Sequence, residues 1–128
     1  MEKAFIDSQQ LQKAIHSFAN DAPVYLTLFC KVRGIASYAD ASLVRSGVDA
    51  LNRFSDELSQ ALHQAKGSLI HKSSGCLSLS GEQNWDHQLI LEFGNIDGLI
   101  HLLSLEHFQQ TLVHFYAGSS AFESYLSQ

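Results

Sequence analysis

Charge is scarce in this 128-residue sequence, and beyond Lys72 there is no lysine or arginine at all. Charged residues make up 16% of the chain, against about 25% in ordinary soluble domains. The surface must therefore draw on uncharged polar groups, among them 17 serines. The formal net charge of -5 is unevenly held: residues 1–72 carry all eight basic and seven of the thirteen acidic residues, and residues 73–128 carry the other six acids. Without clustered Lys and Arg the chain is poorly matched to phosphate backbones, so nucleic acid is not an expected partner. An acidic C-terminal half suits attraction of a basic protein instead. There is no apolar run of the ~18 residues that a membrane-spanning helix needs. The start, Met1-Glu2-Lys3, reaches Asp7 after three apolar residues. That is not the pattern of a secretion signal, and a cytoplasmic location is expected. Cys30 and Cys76 are too few and too far apart for a disulfide framework or a zinc motif.

What the chain does contain is periodicity. Leu11, Ala14, Ile15 and Phe18 recur at helical spacing behind Asp7 or Ser8 as caps, and Pro23 ends the segment. Val24 to Arg33 alternates strictly, with Val24, Leu26, Leu28, Cys30 and Val32 on one face, which predicts a strand. Ile35 to Val44 reads as a second, weaker strand. Val48, Leu51, Phe54, Leu58, Ala61 and Leu62 predict the principal helix over 47–66, closed by Gly67. From there the period falls to two, giving strands at 68–72, 76–80, 87–93, 99–106 and 111–117. Ser120 and Glu123 fit a capping box for a short C-terminal helix. The expectation is an α+β fold in two layers, with an antiparallel meander of about 5–7 strands, over residues 1–128 as a single domain.

In this register one sheet face is a core of Leu89, Leu91, Phe93, Leu99, Leu103, Leu105, Val113 and Phe115. The other collects Ile90, Glu92, Ile100, Leu102, Ser104, Leu112, His114 and Tyr116, too apolar to be left in water. Another segment, a second copy or a different protein should cover it. Trp85 sits at a predicted turn between Glu82 and Asp86, the composition of an aromatic anchor for a protein partner. Folding back over the sheet edge is the default for its side chain, and the anchor role applies if it is exposed.

Seven histidines invite a metal site, but the register sends His101 to the core face and His114 to the other, so no metal or cofactor is expected. Gly67 to Ser73 lacks the glycine that a phosphate loop needs before its lysine. Cys76 has no neighbouring signature of a thiol nucleophile.

The succession of a strand pair, a helix with Leu51, Phe54, Leu58 and Leu62, a meander, and an aromatic strand Leu112-Val113-His114-Phe115-Tyr116 running into Phe122-Glu123-Ser124-Tyr125-Leu126 resembles the WapI-type immunity proteins of bacterial polymorphic toxin systems, over about residues 24–126. That resemblance implies a cytosolic, non-catalytic protein that neutralises a toxin by binding it. Two alternatives stand beside it. Small acidic secretion chaperones dimerise and bind an effector along a sheet. A cone-shaped fold similar to nuclear transport factor 2 would enclose a small-molecule pocket, with His101, Asp40 and Tyr38 as its polar lining.

Overall fold

The computed structural model describes residues 3–40 and 45–128. Among these are four helices and four strands: α1 (Ser8–Ser17), β1 (Val24–Val32), α2 (Gly47–Gln64), β2 (Ser68–Cys76), β3 (Trp85–Phe93), α3 (Ile96–Ser104), α4 (Glu106–Gly118) and β4 (Ser119–Ser127). The fold is α+β, with helices on one face of an antiparallel sheet of order β2-β3-β1-β4. None of the described helices is long and apolar enough to cross a membrane.

Local chemistry sets most of the boundaries. Asp7 accepts hydrogen bonds from the Gln9 and Gln10 amides and starts α1, and Ser46 accepts from the Asp49 amide at the head of α2. At the other end of α2, Lys66 takes a positive φ of 57°. The Gly67 amide returns to Leu62 O and the Lys66 amide to His63 O, the paired bonds of a Schellman closure. Gly67 is the residue after the left-handed position, where an added Cβ would lie 2.7 Å from the Phe93 ring.

The β1 alternation is as expected: Val24, Leu26, Leu28 and Cys30 are buried. They pair across to Phe93, Leu91, Leu89 and His87 of β3. On the far side β1 pairs with β4, Leu26 opposite Leu126 and Cys30 opposite Phe122. Leu51, Phe54, Leu58 and Leu62 of α2, with Phe108, Leu112 and Phe115 of α4, close the core over that face.

The second half departs from the expected meander. Residues 99–106 and 111–117 lie in α3 and α4 and not in strands, residues 119–127 form a strand where a short helix was expected, and the predicted strands 68–72 and 76–80 give way to the single strand β2. The sheet accordingly has four strands. Of the weak strand at 35–44, the structure retains one bridge, Ile35 to Ser46; its residues 41–44 lie outside the described residues. Asn95 caps α3 by accepting from the Gly98 amide, and Ile96, Leu99 and Leu102 bury one face of that helix.

Candidate functional site

The N-terminal arm and α1 lie on the helix side of the sheet, along β4. Phe5 is buried and meets Phe108, Phe115 and Phe122, with ring centroids 5.7, 5.2 and 6.5 Å away. The arm's backbone is also tied down. The Phe5 amide donates to Tyr116 Oη at 2.8 Å, Ser124 Oγ donates to Phe5 O, and Lys3 Nζ donates to Phe122 O at 2.7 Å. After α1, the Gln128 side chain holds the chain again through the amide and carbonyl of Ala19.

Between these two anchors α1 is only partly seated. Its apolar stripe, Leu11, Ala14 and Ile15, leans on the core, yet none of its ten residues is fully buried. Beneath it is a cleft of about 680 Å³. Phe5, Ile6, Leu11, Ala14, Phe18, Leu26, Leu99 and Leu126 supply apolar lining, and Lys3, Asp7, Lys13 and Glu123 are its charged groups. That volume falls within the range of small-molecule sites, and apolar walls with a few charged groups are the usual composition of such sites.

A second cluster joins the connector after β1 to the two long helices. The Ser37 amide donates to Ala117 O and the Arg33 amide to Gly118 O, which lays residues 33–38 against the end of α4. Tyr38 Oη then sits 2.8 Å from His114 Nδ1. His114 Nε2 lies 3.2 Å from Glu57 Oε2 without hydrogen-bond alignment, and Arg53 flanks Glu57 at 3.6 Å. Burial lowers the His114 pKa from its ordinary value, and Arg53 and Arg45 add to this against the opposing pull of Glu57. In the neutral tautomer protonated at Nε2, Nδ1 accepts the phenol proton. Because its pKa is lowered on folding, His114 contributes stability that is present above the ordinary histidine value and is lost as pH falls through the folded one. Urea unfolding at pH 7 and at pH 5 should therefore show a larger loss of stability for the native protein than for His114→Gln; equal losses would remove His114 as the cause.

Cys30 is buried under α2 beside a cavity of about 30 Å³ that His87 also lines. Burial pushes its thiol up to about 11. It is therefore protonated near neutrality and unsuited to nucleophilic chemistry.

The structure disperses the residues singled out from sequence. Ile90 and Glu92 remain on the outer face of β3, opposite Thr27 and Tyr25. Ile100 is exposed on α3, whereas Leu102 and Leu112 are buried in the core and Tyr116 is half-buried beside Phe122. These four are on helices, so they cannot join Ile90 in one sheet face. Glu82 is exposed before β3, and Asp86 Oδ2 accepts from the Val32 amide. Trp85 folds back, its ring 6.0 Å from Phe29. His101 is exposed on α3, away from the cavities described, Tyr38 belongs to the His114 cluster, and Asp40 is exposed two residues later. His87, His101 and His114 occupy β3, α3 and α4, and among the described residues no three His, Cys, Asp or Glu side chains are grouped to hold a metal ion. The arm's role was missed. Its one sequence signal is Phe5-Ile6, an apolar pair ahead of the Asp7 cap.

No family model and no curated protein matches the sequence. Solved structures do match. A protein of unknown function from Rhodopseudomonas palustris has a TM-score of 0.81 at 14% identity, over 95% of this chain and 93% of that one. A dimeric protein of unknown function from Bacteroides fragilis, described as ferredoxin-like, has a TM-score of 0.55 at 15% identity, over 83% and 95%. The fold is ferredoxin-like. A single-residue mutant of SnoaB, a cofactor-independent oxygenase from Streptomyces nogalater, has a TM-score of 0.52 at 13% identity, over 84% and 92%. The ferredoxin-like topology overturns the toxin-neutralising reading. The aromatic strand that carried the immunity-protein resemblance is the helix α4, and the similar structures include an oxygenase and dimeric ferredoxin-like proteins. Of the alternatives, the cone-shaped fold gives way to this ferredoxin-like sheet of four strands and His101 lies outside the pockets described, whereas a small-molecule pocket agrees better than toxin binding with similar structures that include an oxygenase.

Proposed function

We propose that this ferredoxin-like chain binds a small, largely apolar molecule in the cleft beneath α1, and that it works as a homodimer. The observation that carries the first part is the incomplete seating of α1. A helix with one apolar face normally buries it, and here that face borders a cleft of about 680 Å³. Lys3, Lys13 and Asp7 would orient a polar end of the ligand. SnoaB illustrates small-molecule chemistry on this fold.

The probe for this reading is N-phenyl-1-naphthylamine, an uncharged apolar fluorophore. It is expected to brighten on binding, and Ala14→Phe, which fills the cleft, should weaken binding by about tenfold or more. No saturable signal, or one indifferent to Ala14→Phe, would sink the proposal.

Dimerisation draws support from similar structures described as dimeric and from the outer sheet face, where Tyr25, Phe29, Ile90 and Tyr125 stand away from the helices. Apolar side chains on such a face favour burial against a second copy. Sedimentation equilibrium should give twice the 14.2 kDa chain mass, and Phe29→Glu should return the protein to monomer. A native protein that is monomeric at all concentrations would end this part.

A further inference from the structure

The end of β1 and the start of β4 border a second groove, of about 500 Å³, that reaches across to Trp85 at the start of β3. Three of the chain's eight basic residues converge on it: Lys3 from the arm, and Lys31 and Arg33 from the end of β1. Gathering like charges costs energy unless counter-charges are near. Among the described residues, however, the ion pairs are those of Glu57 with Arg53 and His114, and none involves these three cations. Glu123, which accepts from the Tyr125 hydroxyl at 2.6 Å and keeps its charge, is the one carboxylate lining the groove against these three cations.

Donor capacity is left over. Lys3 Nζ and Arg33 Nε each donate to a backbone carbonyl, of Phe122 and Ser119 respectively. An ammonium has three N–H donors and a guanidinium five. Trp85 adds a flat apolar wall, with Lys31 Nζ 6.0 Å from its ring centroid. Clustered unpaired cations beside an indole match a ligand that is anionic at one end and flat at the other.

We propose that Lys3, Lys31, Arg33 and Trp85 form a second binding site, for a small molecule that carries a carboxylate or phosphate head on an aromatic body. The site is separate from the cleft beneath α1 except for sharing Lys3 and Glu123 at its border. The ligand's head meets the cations, and its ring lies against Trp85.

Trp85 is the chain's single tryptophan, so its own fluorescence reads the test. Phenyl phosphate and benzoate are titrated separately, with benzyl alcohol as the uncharged control. At least one anion is expected to give a saturable change that benzyl alcohol does not, and the stronger of the two identifies the preferred head. Lys31→Gln and Arg33→Gln should each weaken that binding by about tenfold, and added salt should weaken it further. Binding of N-phenyl-1-naphthylamine to Lys31→Gln should be unchanged, which separates failure here from failure of the cleft proposal and shows that the variant is folded. No saturable change with either anion, an equal change with benzyl alcohol, or full binding retained by both variants would overturn the second site.

Discussion

Gly47→Ala is expected to destabilise the protein by about 3 kcal/mol or more, read as a fall in the urea midpoint. An added Cβ would lie 1.9 Å from Arg33 O, with Arg33 C at 2.7 Å. These are backbone atoms, so no side-chain rotation relieves the clash. The Arg33–Ile35 segment cannot readily retreat, because the Arg33 amide is bonded to Gly118 O and the Gly47 amide to Gly34 O. Gly118 meets the same point from α4, where its Cβ would come within 2.9 Å of Gly47 O. The two glycines let the head of α2, the tail of α4 and the connector after β1 touch through their backbones. A domain stability of 5–15 kcal/mol is typical, so the loss is a large fraction of the whole. A Gly47→Ala protein with an unchanged midpoint would mean that this contact is not made.

Phe115→Ala should cost about 3–5 kcal/mol, the range for removing a buried aromatic ring. Phe115 is 1% exposed and stands between the arm, both long helices and the edge strand. Its ring centroid lies 5.2 Å from Phe5, 4.9 Å from Phe54 and 5.1 Å from Phe122. The void would adjoin the small cavity beside Cys30 that Phe115 already lines, and a larger residual cavity raises the cost. Val113→Ala on the same helix is the control. Val113 is 54% exposed, and surface changes of this kind stay within about 0.5 kcal/mol. Equal losses for the two variants would contradict the aromatic cluster described here.

The elements that were legible in the sequence are those whose pattern admits one reading. Val24 to Val32 alternates without exception, and the apolar positions of α2, from Leu51 through Leu62, fit a helix alone. The stretch from Leu99 to Phe115 admits two. Leu99, Leu103, Leu105, Val113 and Phe115 fall on odd positions and mimic a strand, while Ile96, Leu99, Leu102, Phe108, Leu112 and Phe115 keep helical spacing. Valine and aromatic residues in it tilt local propensity toward strand. Burial decides for helix, since Phe108, Leu112 and Phe115 reach the core formed with α2 only when they share one helical face.

The C-terminal segment was undecidable for another reason. Ser120 and Glu123 suit a helix start, and Phe122, Ser124 and Leu126 alternating with Ala121, Glu123 and Tyr125 suit a strand. The preference comes from elsewhere in the chain. With β3 on one side, β1 still has a row of backbone donors and acceptors along its other edge, and buried backbone groups must be paired. Residues 119–127 supply that row. The scattered site residues follow from the same cause. Trp85, Lys31 and Arg33 meet only because β1 and β3 are neighbours, and Lys3 joins them only because the arm runs along β4.

By itself, then, the sequence determined the α+β class, the first strand, the principal helix and the scarcity of cations, because periodicity and composition are local properties. Tertiary structure decided that the second half is two helices and an edge strand, and that three of the few cations share one groove beside the only tryptophan. Those outcomes depend on which distant backbone edges and apolar faces satisfy one another, and no local window contains that information.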